Sequence, residues 1–357
     1  NVLFNKMDVA AANLLVEAVK HKDISLCGIK SDQISFTCDG FSEKKKLQPA
    51  DAILLASDLS KVGVSASLTS LDVSENYIQG SGMAFGEALK ISATIKELKM
   101  QRCQLGFKDG EGLAGGIAVS PSLTSLNLEF NELGPKGCKA LAPGLAANAS
   151  LTNCNLLGNK LGVAAAKSVV ESVKGKNISL CGILPDQTEA IFCSDCLKSS
   201  DAILLASDLS KAGVSTMLTS LRLDDNKIRG SGEALGEALK MNSSLEELNL
   251  SECSLGEEDG KGLAAGLAVT TSLTSVNLSN NNLAGSGEET GYVQATEVTG
   301  DCFEVGAEVL YNGATMIVTQ APDSYNEIKM RPKPDMTGIC AIADALGVST
   351  SLTSCDV

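Results

Sequence analysis

One phrase returns along this chain, Leu-x-x-Leu-x-Leu-x-x-Asn-x-Leu. It reads Leu68-Thr-Ser-Leu71-Asp-Val73-Ser-Glu-Asn76-Tyr-Ile78, then Leu123-Thr-Ser-Leu126-Asn-Leu128-Glu-Phe-Asn131-Glu-Leu133, and it returns from Leu151, Leu218, Leu245 and Leu273. A fixed-period repeat constrains the fold before any other feature does. One unit cannot bury its own apolar face and must stack on the next. Stacked units also build a long concave surface rather than one deep pocket, which favours binding over catalysis.

Each position has a physical task. Leu71 and Val73 alternate with Asp72 and Ser74, the period of a strand with one buried face. The Asn that follows can turn its amide inward to satisfy backbone groups left free as the chain leaves the strand. Asn5, Asn76, Asn131, Asn159, Asn226 and Asn281 hold that place, and Cys103 and Cys253 replace it in two units. Behind come Ala- and Leu-rich runs such as Gly82–Leu89 and Ala234–Leu239, which suit stacked helices. Ile34–Phe41 and Ala190–Leu197 are degenerate units with Asp39 and Asp195 at the ladder place.

The fourth motif position falls at Leu71, Leu98, Leu126 and Cys154, then at Leu221, Leu248 and Val276, in steps of 27 or 28 residues. On these residues the chain resembles leucine-rich repeat proteins of the ribonuclease-inhibitor subtype, over nearly its whole length outside 288–336. The resemblance implies an α/β right-handed solenoid of about eleven units, with parallel strands on the concave face and helices on the convex face.

A larger period lies above the small one. Asp51–Lys61 recurs unchanged at Asp201–Lys211, and Ile24–Ile29 recurs as Ile178–Ile183. Residues 5–133 therefore read as a duplicate of 159–283, with matching irregular loops near 42–50 and 194–200. The expected organisation is a first repeat block over 1–158, a second over 159–287, an insert over 288–336 and resumed repeat over 337–357.

The insert breaks the grammar. Cys302–Tyr311 alternates like a strand, Asn312-Gly313 is a two-residue hairpin signal, and Thr315–Thr319 follows. This pattern is similar to small SH3-like barrels of the Tudor and KOW kind. Tyr311, Tyr325 and Phe303 could line an exposed groove of such a module or form its core; both stay open.

The net charge of −14 argues against nucleic-acid binding, which needs a basic stripe, and permits a basic protein partner. The twelve cysteines largely follow the repeat grammar and read as small buried hydrophobes, which implies an intracellular, reducing compartment. Cys193-Ser-Asp-Cys196 has half-site spacing, but no second pair or neighbouring His completes a metal set. No stretch is long enough to span a bilayer. The chain enters and leaves in mid-phrase, so a longer protein is expected.

Catalytic groups do not converge. The single His21 lies at a helix end, Glu257-Glu258-Asp259 reads as an exposed turn, and no phosphate-binding or nucleophile motif appears. No enzymatic activity, cofactor or metal is expected. Binding residues are expected where strand side chains point away from the core: Asp72, Glu75, Lys99, Arg102, Glu129, Phe130 and Leu157 in the first block, and Arg222, Asp224, Asp225 and Glu252 in the second. Phe130 and Leu157, apolar at exposed places in adjacent units, have the form of an interface anchor. A scaffold or assembly subunit is the leading expectation. A regulator resembling ribonuclease inhibitors or Ran-type GTPase activators is the alternative, as is the repeat region of an innate-immune-type receptor.

Overall fold

The computed structural model describes residues 1–38, 45–285, 290–300 and 302–357. The ladder place at Asp39, residues 42–44 of the first irregular loop and the expected 287/288 boundary lie outside them.

Most units are a three-residue strand, a turn and a helix, because the apolar period changes from two to three-or-four midway. The first parallel sheet runs β1 (Ser35–Thr37), β2 (Ser70–Asp72), β3 (Glu97–Lys99), β4 (Ser125–Asn127) and β5 (Asn153–Asn155). The second runs β6 (Glu189–Ile191), β7 (Ser220–Arg222), β8 (Glu247–Asn249) and β9 (Ser275–Asn277), and β14 (Ser354–Asp356) joins beside β9. Register places the fourth motif positions opposite one another, Leu71 on Leu98 on Leu126 on Cys154, all fully buried. Cys355 pairs with Val276 at the same motif position but is only partly covered, on the edge strand β14.

The helices are α1 (Val9–Val19), α2 (Pro49–Leu59), α3 (Val62–Ser65), α4 (Gly82–Ile91), α5 (Phe107–Val119) and α6 (Gly134–Ala147), followed by α7 (Val163–Ser172), α8 (Ser199–Leu209), α9 (Gly232–Met241), α10 (Glu257–Leu267) and α11 (Thr337–Val348). None of them, among the described residues, is long and apolar enough to cross a membrane. The boundaries of α2, β2, α4 and β3 recur in α8, β7, α9 and β8 at a constant offset of 150 residues.

The ladder works as its chemistry requires. Asn131 Oδ1 accepts from Cys103 N at 2.9 Å and Leu105 N at 3.0 Å, while its Nδ2 donates to Met100 O and Leu128 O. One amide thus ties its own turn to the preceding unit. The Cys103 and Cys253 thiols donate to Val73 O and Leu223 O, each at 3.1 Å, so they substitute chemically as well as sterically. Asn5 is an exception: it is exposed and its amide donates to Val2 O. A second set of staples comes from the third helical residue. Asp109 accepts from Gly106 N before its own helix and from Gly82 N of the preceding unit, and Asp259 does the same for Gly256 and Gly232.

Helix spacing is set by glycine. A Cβ on Gly86 would come within 2.0 Å of Gly112 O, and one on Gly236 within 2.1 Å of Gly262 O. Backbones therefore touch where α4 meets α5 and where α9 meets α10.

The grammar is interrupted twice in the same way. Between α7 and α8 the chain makes two passes with no helix between them. Residues 178–181 run beside β5, with Cys154 N donating to Ser179 O and Leu156 N to Leu180 O, and β6 then starts a new sheet. The buried carboxylate of Asp208 serves the first pass, accepting from Leu180 N at 2.9 Å, Cys181 N at 3.0 Å and Ser179 Oγ at 2.7 Å. Lys211 lies 3.8 Å from Asp208 and donates to Ile178 O. Asp58, Lys61 and residues 24–27 repeat this arrangement in the first half.

After Leu283 the chain leaves the solenoid. The antiparallel sheet β10 (Val293–Gln294), β13 (Glu327–Pro332), β12 (Ala314–Gln320), β11 (Glu308–Tyr311) has its own core of Val309, Met316, Val318, Ile328 and Met330. Thr299 bridges Leu310 on the far side of β11, and Thr290 N donates to Met330 O, so the sheet curls towards closure. Asn312 and Gly313, both at positive φ, make the expected β11–β12 turn. The solenoid resumes with α11 against α10, where Gly260 and Gly338 meet backbone to backbone.

Three substitutions test this account. Leu126→Ala should cost about 2–5 kcal/mol as a core deletion. Asn131→Ala, which strands two buried N–H donors of the preceding unit and buried carbonyl acceptors in both units, should cost about 1–3 kcal/mol, whereas Asn5→Ala should stay within about 0.5 kcal/mol. Urea unfolding followed by circular dichroism, with hydrogen exchange to localise the loss, measures all three.

Candidate functional site

The outward side chains of the strands and the turns after them form one continuous surface. Asx turns order it: Ser74 N donates to Asp72 Oδ1, Glu129 N to Asn127 Oδ1, and Ser251 N to Asn249 Oδ1, all within 2.9–3.0 Å. Asp72 is therefore partly a turn residue. The place just before each ladder residue adopts left-handed backbone: φ is +63° at Glu75, +52° at Arg102, +51° at Phe130, +57° at Asp225 and +56° at Glu252. Gly158 takes the same place at +69°. Nothing but Gly adopts this conformation freely, so the surrounding ladder must hold these side chains there.

The ledge so formed is a stack. Glu75 lies 3.4 Å from Arg102, whose guanidinium sits 4.4 Å from the Phe130 ring centroid. Phe130 in turn lies over Gly158, where an added Cβ would come within 2.4 Å of the ring. A cleft of about 270 Å3 beside Phe130 is bordered by Gly158, Lys160, Asp195 and Cys196. Burial, together with the facing Asp195 carboxylate, raises the Glu129 carboxyl above its ordinary range, with Arg102 opposing. Burial raises Asp195 likewise, again against Arg102.

In the second half Arg222 grips Asp224 with two contacts of 3.2 Å. Asp224 also accepts from Cys193 Sγ at 3.0 Å and Asn249 Nδ2 at 3.1 Å, and Asp225 accepts from Ser194 Oγ at 2.8 Å. These two carboxylates hold the Cys193–Asp195 turn. Burial acts upward on Asp224, but the Cys193 and Arg222 donors outweigh it and keep the carboxyl below its usual range. Burial and the same carboxylate push the Cys193 thiol up to about 11. Cys193 and Cys196 are free, and no group of His, Cys, Asp or Glu suited to a metal occurs among the described residues.

The structure thus brings Glu75, Arg102, Glu129 and Phe130 together and adds Asp195, which sequence reasoning placed in the ladder. Lys99 joins Glu97 at 3.1 Å on the same face, and Glu252 is exposed further along it. Leu157 requires correction. Expected as an exposed anchor beside Phe130, it is fully buried in the main core. Its unit is followed by the helix-less 178–181 pass, and alternation ends at the turn, where Ser74 is buried too. The insert tyrosines stand apart from each other: Tyr311 and Phe303 pack on the small core, while Tyr325 is 77% exposed on the turn before β13. The left-handed ledge was missed in the sequence. Its one signal is Gly158 standing in series with Glu75, Arg102 and Phe130.

Across β2–β9 the outward carboxylates Asp72, Glu75, Glu97, Glu129, Glu189, Asp195, Asp224, Asp225, Glu247 and Glu252 meet the cations Lys99, Arg102 and Arg222. Each cation is paired within the face, to Glu97, Glu75 and Asp224 respectively. The surface is left strongly acidic.

Removing the Asp224 charge gives a check on this electrostatics. A neighbouring carboxylate disfavours thiolate, so Asp224→Asn should lower the Cys193 pKa and speed its alkylation. The pH dependence of iodoacetamide labelling, read at the Cys193 peptide by mass spectrometry, should shift to lower pH.

A leucine-rich repeat family model matches the sequence at residues 64–85, 119–142, 214–232, 242–264 and 270–287. No curated protein matches the chain. Among solved structures it is similar to an internalin (inlF) from Listeria monocytogenes str. 4b F2365, at 17% identity, covering 77% of this chain and 90% of that one, with a TM-score of 0.29. The five matched segments carry the repeat phrase, and the asparagine ladder with the stacked parallel strands gives the chain an α/β solenoid fold of leucine-rich repeat type.

Proposed function

We propose that this chain is a non-enzymatic protein-binding solenoid, a scaffold or assembly subunit whose concave face receives a basic protein surface. One observation carries the proposal: among the described residues of β2–β9, the outward cations Lys99, Arg102 and Arg222 are each bound to a carboxylate of the same face, so the remaining acid is free to meet a partner. Phe130, on its Arg102 stack, supplies an apolar anchor framed by charge. The pairing of a short strand with a full helix in most units supports the ribonuclease-inhibitor subtype. That subtype includes acidic solenoids that cap basic enzymes, so regulation of a basic enzyme is the second reading. The near-closed β10–β13 sheet supports an SH3-like insert over 288–336, between a second block ending near 287 and resumed repeat from 337. The buried, unpaired cysteines support a reducing, intracellular setting.

The test starts from native purification with mass spectrometry and cross-linking of whatever co-purifies. Cross-links should fall on the strand face. Phe130→Ala should weaken the recovered complex by about 2 kcal/mol or more without moving the unfolding midpoint. Asp225→Lys combined with Glu252→Lys should weaken it and flatten its salt dependence. Cross-links confined to the helices or to 290–332, with Phe130→Ala neutral, would refute the concave site.

A further inference from the structure

The recurrence lets one half of the concave face report on the other. β2 and β3 return as β7 and β8 at an offset of 150 residues, so Ser70, Asp72, Glu97 and Lys99 correspond to Ser220, Arg222, Glu247 and Asn249. In the first half Glu97 is occupied. Lys99 Nζ lies 3.1 Å from its carboxylate, and Ser70 Oγ donates to it at 2.7 Å. Burial acts upward on this carboxyl, but the two donors outweigh it and keep it below its usual range.

In the second half the glutamate stays and its cation does not. Asn249 stands at the place of Lys99, and its amide is engaged with Asp224 and with the Ser251 turn. The cation of this half is Arg222, one strand back, where it grips Asp224 instead. Glu247 is exposed and has no hydrogen bond or ion pair among the described residues, whereas Glu97 is half-buried by its partners. Ser220 and Ser275 flank Glu247 in register, and Glu189 lies beyond Ser220 at the place that Ser35 takes in the first half. These side chains line an open cleft of about 210 Å3. Small-molecule sites run to about 300–1,000 Å3, so this cleft is scaled to one side chain of a larger partner.

We propose that the cleft receives a lysine side chain of a partner protein, its ammonium meeting Glu247 as Lys99 meets Glu97. The chemistry of the occupant is read from the chain itself: the corresponding glutamate, on the corresponding strand and beside the corresponding serine, is bound by an ammonium. Glu189 supplies a second carboxylate on the far side of Ser220. Arg222 borders the cleft, but its charge is answered by Asp224. The inference rests on the concave-face reading above and assigns the contact to one half of that face.

The probe is a fluorescein-labelled pentalysine peptide carrying a photo-reactive diazirine, used with the full chain. Anisotropy gives its affinity, and mass spectrometry after irradiation gives its position. Wild type should bind it saturably and take the label on β7–β9. Glu247→Gln should weaken binding about three- to five-fold, the scale of one exposed ion pair. Asn249→Lys, which gives Glu247 an ammonium of its own, should weaken it by about as much. Lys99→Asn combined with Asn249→Lys keeps the net charge, and each half already accepts the residue that the other receives. This exchange should leave the melting temperature unchanged and move the label to β2–β4. No saturable binding, no effect of Glu247→Gln, or a label that stays on β7–β9 in the exchange variant would each overturn the inference. A label that remains on the concave strands but ignores the exchange would do so while leaving the concave-face reading standing. A label confined to the helices or to 290–332 would remove both.

Discussion

A strand of three residues leaves more buried backbone polar groups at its exit than it satisfies within itself, and this structure is organised around meeting that demand. The ladder amides do it unit by unit, each binding its own turn and the one before. Cysteine thiols stand in at two places because a short donor suffices for one carbonyl. Where the helix is omitted, no ladder residue serves the 178–181 pass. A buried carboxylate does, reaching from α8 to two N–H groups and a hydroxyl. Burial raises the Asp208 carboxyl, with Lys211 and these donors pulling it back. An uncompensated charge there would be expensive, so Asp208, Lys211 and the pass they hold form one unit of structure.

Satisfying the ladder fixes strand spacing, and strand spacing then strains the helices. Adjacent strands sit about 4.8 Å apart, while helices pack at about 8–10 Å. A solenoid with one helix per strand must therefore curve. Glycines at Gly86, Gly112, Gly236 and Gly262 reduce the mismatch by letting helix backbones touch. The passes at 24–29 and 178–183 reduce it differently, by giving one helix two strand positions.

The repeat phrase exposes the core in sequence because its leucines report burial directly: Leu71, Leu98, Leu126, Leu221 and Leu248 all lie where alternation puts them. It loses authority after the strand. Alternation places Leu157 on the surface, but the backbone has already begun its left-handed turn and the next pass covers the side chain. Glu75, Arg102 and Phe130 are legible as outward residues, yet their stacking depends on φ values that no side-chain pattern records. The identical copies of Ile24–Ile29 and Asp51–Lys61 stand out in sequence, but their relation does not. They are hydrogen-bond partners of each other, joined by Asp58 in one half and Asp208 in the other, and contacts of about thirty residues' separation have no local signature. The insert is legible at its Asn312-Gly313 turn and not at its closure, which rests on the bridge from Thr299 to Leu310.

The electrostatics of the concave face follow from the same backbone geometry. At the left-handed places the side chains of successive units fall in line, so Glu75, Arg102 and Phe130 meet although they belong to three repeats. Arg102 satisfies Glu75 and stacks on Phe130, and it also offsets the mutual repulsion of Glu129 and Asp195. A cation so occupied contributes order to the surface and little outward potential. Arg222 is committed in the same way to Asp224, which in turn holds Cys193. The positive charges of this face thus act as internal fasteners, and the negative potential that remains is presented on side chains already fixed in place. A surface ordered before binding loses less conformational entropy when a partner docks, which is the physical advantage of placing an interface on a ladder rather than on a loop.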